Sequence, residues 1–407
     1  MIDLRRLALA LFFFAALLLS SGAFAPLWTD TSAHDVAEGG PLLEFVWAAI
    51  YATAALLLLP RYKTFAALIA ANWPLVLLTF FCAASTAWSE DPAVTLRKSV
   101  AILGTTLFGA LFALEFEVRS QLRILAAVLA SAALASVIAQ FWFSARFSPT
   151  ETAGAAWNGV FSHKNVLGRN MGLGVVAFLS IAKRKLTSVI TSVLGIGACF
   201  TLIAAAHSQT ALVVALAILL LTGAFAVARL PWREALAAAV LSAALLFPTV
   251  CFAVANNSRL VTMLGRDATL TGRSHIWTLA AQALTEHAWL GHGYGAFWWI
   301  APRSFQIIAL LGYSTPHAHN GFLDIGLQLG IIGLVMFFVS WTDALRRAIC
   351  RAQASPGCAN GWSLLYLSFL LFYSFTESSL LAPNSLLWIL YAATCVTLSQ
   401  TGSESVR

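Results

Sequence analysis

Ser314-Thr-Pro-His-Ala-His-Asn-Gly-Phe-Leu-Asp-Ile-Gly-Leu-Gln-Leu-Gly-Ile-Ile-Gly333 changes character partway along. Two imidazoles, an amide and a carboxylate crowd the start of an apolar run that continues to about residue 342. Pro316 is a helix start signal and the apolar run past Asn320 predicts a helix, so His317 and His319 are expected at or just before its first turn. That end of a helix carries partial positive charge, which disfavours an imidazolium and favours nearby anions such as phosphate. A neutral histidine in such a place suits a general base in transfer from a phosphorylated donor. A lone interfacial histidine would more simply satisfy backbone groups; it is the clustering that favours chemistry.

The apolar run is one of many. The chain of 407 residues is 60% apolar and 10% charged, with a mean hydropathy of +0.82, a composition that excludes a soluble domain. Apolar stretches of about 17 to 25 residues, long enough to span a bilayer core as helix, recur at 7–25, 42–60, 64–84, 98–116, 121–143, 166–182, 186–206, 208–228, 234–255, 319–342, 361–376 and 383–400. The expected fold is therefore all-α: a polytopic integral membrane protein of about 12 transmembrane helices. It forms a single domain over 1–407, with one long outer loop over 256–318.

Lys and Arg set the orientation, because positively charged loops stay in the cytoplasm. With Arg5 and Arg6 inside, alternation puts 15 of the 24 basic residues inside, among them Lys183-Arg184-Lys185, Arg346, Arg347 and Arg351. Asp30, Asp35 and Glu38 fall in an outer loop without Lys or Arg. The outer basic residues (Arg97, Lys98, Arg146, Lys164, Arg169, Arg259, Arg266, Arg273 and Arg303) are the exceptions, and are candidates for binding an anionic substrate. The net charge of +7 restates this bias and calls for no nucleic acid. The six cysteines contain no CxxC pair and read as small core residues. Arg5-Arg6, the following apolar run and Ala23-Phe-Ala25 resemble a signal peptide; a retained helix is favoured because it makes the count of spans even.

Four further segments are polar where the chain is otherwise apolar. Ser85-Thr-Ala-Trp-Ser-Glu-Asp-Pro92 reads as an outer turn, Trp88 suiting the interface and Glu90-Asp91-Pro92 suiting re-entry into the next helix, where Arg97 and Lys98 follow. Gly159-Val-Phe-Ser-His-Lys-Asn-Val-Leu-Gly-Arg169 concentrates His163, Lys164, Asn165 and Arg169; an arginine one turn into a membrane helix is costly unless paired, which makes it a functional candidate over a snorkelling one. In the long loop, Arg273 opens a helix expected to run to Ala288, ahead of the glycine-rich turn Gly291-His-Gly-Tyr-Gly295, which fits no dinucleotide or phosphate-loop fingerprint. Glu377 lies in the last outer turn, placed to pair with an outer arginine or to orient His319.

At this point the chain resembles the O-antigen ligase and polysaccharide polymerase superfamily of bacterial envelope glycosyltransferases. The motif that carries the resemblance is His319-Asn320, nine residues, then Gly330-Ile-Ile-Gly333; Phe161-Ser-His-Lys-Asn165 and Gly291-His-Gly-Tyr-Gly295 are similar to the exopolysaccharide polymerase branch. The resemblance implies a GT-C-like glycosyltransferase of the bacterial inner membrane with its site facing the periplasm. It implies a polyprenyl-diphosphate-linked oligosaccharide as donor, a glycan or lipid A-core as acceptor, no cofactor and no metal. Membrane lipids are implied surroundings and a chain-length regulator an implied partner. His319 carries over as the base and Arg273 as a diphosphate clamp. Where ligases place a second arginine after a serine, this chain has Gln209 after Ser208, which tilts the expectation toward polymerisation and leaves Arg169 or Lys164 to supply the charge. His163, Arg266, His317, Asn320 and Glu377 complete the expected substrate site. Ligation of finished O-antigen is the alternative within the class. A lipid-linked sugar transporter, and an inactive assembly subunit, are alternatives outside it. Against transport, the sequence shows neither repeated halves nor interrupted helices.

Overall fold

The computed structural model describes residues 4–27, 40–142, 156–181, 186–227, 273–313, 315–354 and 358–400. The expected span at 234–255, the triplet Lys183-Arg184-Lys185, the acidic loop residues and Arg146, Arg259 and Arg266 lie outside them. Among the described residues every regular element is helical: α1 (Leu4–Ser20), α2 (Pro41–Leu58), α3 (Tyr62–Ala71), α4 (Trp73–Ala84), α5 (Pro92–Glu115), α6 (Val118–Trp142), α7 (Lys164–Ile181), α8 (Leu186–Ala205), α9 (Gln209–Val227), α10 (Arg273–Glu286), α11 (Phe297–Ile300), α12 (Pro302–Leu311), α13 (Gly321–Ala354), α14 (Cys358–Ser374) and α15 (Leu386–Ser399). Among these residues five helical runs are long and apolar enough to cross a membrane, 41–71, 92–115, 118–142, 186–205 and 321–353, and four shorter apolar helices accompany them. The chain is a multi-pass membrane protein.

The core is organised around α14 and α15, in which Trp362–Ser374 and Leu386–Leu398 are buried along their whole length. Close approach is made possible by small residues. A Cβ on Gly109 of α5 would come within 2.6 Å of the Ile389 carbonyl of α15, and one on Gly174 of α7 within 2.6 Å of Cys199 Sγ of α8. In a bilayer such packing, rather than water exclusion, is what holds helices together. Phe13 of α1 adds an aromatic cluster against Phe108 and Phe112 of α5, with ring centroids 4.8 and 4.9 Å away. Phe45, Leu56, Leu194 and Leu220 point outward and are exposed, as a lipid-facing surface requires.

The two ends of the bundle differ. Running along α13 leads from Asn320 and the histidines to Arg347 and Arg351, which donate to the carbonyls of Ala71 and Thr397 at 2.6 and 2.9 Å. Arg61 pairs with Glu115 at 2.9 Å at the C-terminal end of α5, on this same basic side. The expected span at 64–84 is corrected here. Asn72 (φ −114, ψ 32) breaks it, with Pro74 starting α4. Asn72 Nδ2 donates to Ser399 Oγ at 2.9 Å, so α3 begins and ends at the basic side and lies along it. The crossing is left to residues 73–87, about 22 Å of helix.

A second correction concerns α13. At Gly330 (φ 65, ψ −167) the helix is interrupted, in a backbone region open almost only to glycine. A Cβ there would lie 2.2 Å from the Trp289 carbonyl. The turn 287–293 plugs the gap: Ile331 and Ile332 N–H donate to Ala288 and Trp289 carbonyls at 2.8 and 3.3 Å, while His292 and Gly293 N–H donate to Leu327 and Gln328 carbonyls at 2.9 and 3.0 Å. Broken helices survive in membranes only where protein or water re-satisfies the freed groups. An interrupted helix is thus present, contrary to the sequence expectation, and its gap is filled by a loop.

Candidate functional site

The polar end of the bundle gathers four segments that are far apart in sequence. Asn320 caps α13, its Oδ1 accepting from Phe322 and Leu323 N–H at 3.0 and 3.1 Å, and its Nδ2 donates to the Phe375 carbonyl at 3.2 Å. Both ends of the amide are thereby committed to holding the turn in place. His319, just before the cap, has φ +52, a left-handed conformation that a non-glycine residue adopts at some cost. It swings the imidazole across to Glu377.

Glu377 is the hub. Its side chain is 11% exposed. Its Oε1 accepts from Asn165 Nδ2 at 2.9 Å and from Arg273 at 2.8 Å, and its Oε2 faces His319 Nδ1 at 3.4 Å. Arg273 also donates to the Thr376 carbonyl at 2.5 Å. Burial pushes the Glu377 carboxyl up, but the His319 hydrogen bond and the Arg273 charge outweigh it and hold the group at about 2, so Glu377 is ionised at neutral pH. An ionised carboxylate can only accept, so in a neutral His319 the proton sits on Nδ1, facing it, and Nε2 carries the lone pair.

His317 packs edge-on against His319 with ring centroids 4.2 Å apart, and its Nδ1 accepts from the His319 backbone N–H at 3.3 Å. Burial and the neighbouring His319 lower its pKa to about 3, so it is neutral. His163 is exposed at the start of α7, and its Nδ1 accepts from the Asn165 backbone N–H at 3.2 Å. Tyr373 joins α14 to this corner by donating to the Asn165 carbonyl at 3.1 Å, and it feels the charges of Glu377, Arg169 and Arg273.

Lys164 and Arg169 differ from Arg273 in having no hydrogen bond or ion pair with any described residue. Arg169 is only half-buried on α7, next to Gly168, whose Cβ would lie 2.6 Å from Ser208. The Ser208-Gln209 turn therefore borders it; the Gln209 side chain is exposed and makes no hydrogen bond among the described residues. Of the expected site residues, the structure thus brings together His319, Arg273, Glu377, His317, Asn320, His163 and Lys164, with Arg169 and Gln209 alongside, while Arg266 lies outside the described residues. Arg303 is engaged elsewhere, with Glu286 at 3.1 Å, and Arg97 pairs with Glu44 at 3.1 Å.

On the other side of His317 opens a cavity of about 370 Å³, walled by Tyr294, Trp298, Trp299, Asp324, Gln328 and Lys98. Aromatic faces with a few directed polar groups are the usual make-up of a site for a small organic ligand. Asp324, which is 5% exposed, fixes this wall: it accepts from Trp298 Nε1 at 2.7 Å and Ala318 N–H at 3.1 Å, and from Ser378 Oγ. Sequence reasoning leaves Asp324 and Asn165 out of the site, although both lie in segments it marks. A carboxylate one turn into an apolar helix is the available signal for the first. For the second it is adjacency to Lys164.

Known proteins point the same way. A family model described as O-antigen ligase matches residues 194–338. The exopolysaccharide production protein ExoQ of Rhizobium meliloti is 24% identical over 318 residues, covering 75% of this chain and 72% of that protein. A candidate polysaccharide ligase of Rickettsia felis is 29% identical over 106 residues, 25% of this chain and 26% of that one. The chain resembles the O-antigen ligase and polymerase superfamily.

Proposed function

We propose that this enzyme transfers a glycan from a polyprenyl-diphosphate carrier to a sugar hydroxyl at the periplasmic face of the bacterial inner membrane, extending exopolysaccharide or O-antigen repeats. The observation that carries the reading is His319, whose Nδ1 is engaged by the ionised Glu377 and whose Nε2 is thereby kept as a lone pair. In this reading the acceptor sugar lies in the aromatic-walled cavity beside His317. Its hydroxyl gives a proton to His319 Nε2 as the oxygen attacks the anomeric carbon, and the bond to the diphosphate breaks. Negative charge builds on the leaving oxygen, where fixed cations lower the barrier most. Arg273, Arg169 and Lys164 supply them, Arg by its two-pronged fit to phosphate. Direct attack inverts the anomeric centre. The transfer needs no metal in this scheme because the cations do that work.

ExoQ, by its name a protein of exopolysaccharide production, resembles this chain over three quarters of its length, and Gln209 stands where a ligase arginine is expected; both support polymerisation. Ligation to lipid A-core is the second reading, supported by the description of the matching family. A transporter would use an interrupted helix as part of a path, whereas here loop 287–293 fills the interruption.

The test is the purified protein in lipid with synthetic polyprenyl-diphosphate oligosaccharide and chelator throughout. Extension of the glycan on its carrier, lost in His319→Ala and Arg273→Ala, is expected, with inverted linkage by NMR of the product. Transfer only after lipid A-core is added would make the protein a ligase. Movement of lipid-linked sugar across liposomes without a new glycosidic bond would overturn both.

A further inference from the structure

Glu90, His287 and His292 have no part in the transfer chemistry, yet the turns at Trp88–Pro92 and Gly291–Gly295 bring these three side chains of metal-ligating type together. We propose that Glu90, His287 and His292 bind a divalent transition-metal ion of the zinc class. One donor atom from each residue lies within 4.8 Å of the other two.

His292 is the fixed member, 3% exposed. Its Nδ1 is in contact with Glu90 Oε1, and its Nε2 lies 3.4 Å from the Ala283 carbonyl. Acceptors thus face both ring nitrogens, and a neutral imidazole has one proton to offer. With that proton on Nε2, toward the carbonyl, the Nδ1 lone pair points straight at a carboxylate oxygen. A positive charge belongs between them. A histidine whose second nitrogen donates to a backbone carbonyl is the usual outer arrangement of a metal ligand. The alternatives are a second ring proton, or a single proton on Nδ1 with Nε2 bare beside the carbonyl. His287 decides between them: its ring stands edge-on to His292, centroids 4.5 Å apart at 61°, adding a third donor that an imidazolium–carboxylate pair has no use for.

The backbone is already set for the ion. Gly291 and Gly293, with φ of +68° and +101°, flank His292; Glu90 N–H donates to the His292 carbonyl at 3.1 Å and Trp88 Nε1 to the Leu290 carbonyl at 3.0 Å. Ligand bonds of about 2.0–2.2 Å require donors roughly 3.3 Å apart. Glu90 and His287 are exposed, so small rotations of their side chains close the site around the buried His292. Two imidazoles and a carboxylate suit zinc or cobalt, with water in the fourth position. The ion would tie the 88–92 turn to the loop that plugs α13 at Gly330, stiffening that plug and the cavity wall it carries. It takes no part in the transfer reaction.

Full-length protein in nanodiscs is stripped with chelator, then titrated with Zn²⁺ and with Co²⁺, reading bound metal by mass spectrometry and the Co²⁺ ligand-field bands. One ion per chain is expected, with four-coordinate bands and a raised thermal transition. His287→Ala and Glu90→Gln should each weaken binding at least tenfold while leaving the metal-free transition and helical circular dichroism as in the wild type; the exposed His275→Ala should bind normally. No stoichiometric ion, equal binding by His287→Ala, or binding that is lost in His319→Ala but kept in His287→Ala would overturn the proposal.

Discussion

Glu377→Gln tests the centre of the site by exchanging one carboxylate oxygen for an amide NH2. In the wild type one carboxylate oxygen takes two N–H donors, from Arg273 at 2.8 Å and Asn165 at 2.9 Å, and the other faces His319 Nδ1 at 3.4 Å. In the variant those two donors force the amide oxygen to their side. The amide NH2 then faces His319 and can only donate, so Nδ1 must become an acceptor and the ring proton moves to Nε2. The nitrogen that should take the acceptor's proton is then blocked. A wrong tautomer of this kind costs up to about 10⁴ in kcat, and loss of general-base help alone about 10² or more. Stability should fall too: displacement of the carboxyl from its ordinary 4.5 to about 2 corresponds to about 3 kcal/mol of interaction specific to the ionised form, as an order of magnitude. The assay is single-turnover glycan transfer in nanodiscs, compared at equal folded fraction by thermal transition, with Glu377→Asp as the variant that keeps the charge. The predicted pattern is kcat down by about 10²-fold or more for Glu377→Gln and by less for Glu377→Asp. If the Glu377→Gln protein keeps kcat within about threefold of wild type, far inside the range for a lost general base, Glu377 does not set the His319 tautomer and the base assignment loses its support.

Arg169→Ala should raise KM for the lipid-linked donor roughly tenfold, the scale of one lost charge-assisted contact, without lowering the thermal transition, because the guanidinium has no described partner to lose; a lower transition with unchanged KM would mark it as structural. Gly330→Ala should destabilise by at least about 1–3 kcal/mol, since φ is +65 and a Cβ would meet the Trp289 carbonyl at 2.2 Å; a variant with wild-type thermal stability would refute the plugged-break description. Acid should destabilise before carboxylates titrate. His317 is held at about 3 against an ordinary 6.5, so between these values the unfolded chain binds the extra proton and stability rises with pH. The transition temperature should drop as pH falls from 6.5, more gently in His317→Asn; identical slopes would count against a buried neutral His317. Glu377, also depressed, adds a further loss only below about 4.5.

Much of this molecule could be read directly from its residues, and the reason is locality. Hydropathy over a window reports the medium a helix sits in, so the spans at 92–115, 118–142 and 186–205 were visible as apolar runs. Caps and breakers act within a turn, so the re-entry at Asp91-Pro92 and the start of α13 after Asn320 were placed within a few residues. The same averaging hid what is short: Asn72-Trp73-Pro74 cuts an apolar run into a surface helix and a crossing one, and hydropathy is blind to direction. The interruption at Gly330 was invisible for a different cause. GxxG in a membrane helix is ordinarily a packing surface; only the arrival of the 287–293 backbone, some forty residues earlier in the chain, turns it into a gap. The site divides in the same way. His319, Arg273 and Glu377 stood out one by one as costly residue types in an apolar chain. That Glu377 would take Asn165 and Arg273 on one oxygen and His319 on the other, and that Glu90 would meet His287 and His292, depends on separations of 50 to more than 200 residues. Pairings at such range are decided by how the helices pack, because no local preference of the chain records which loop a given turn will touch.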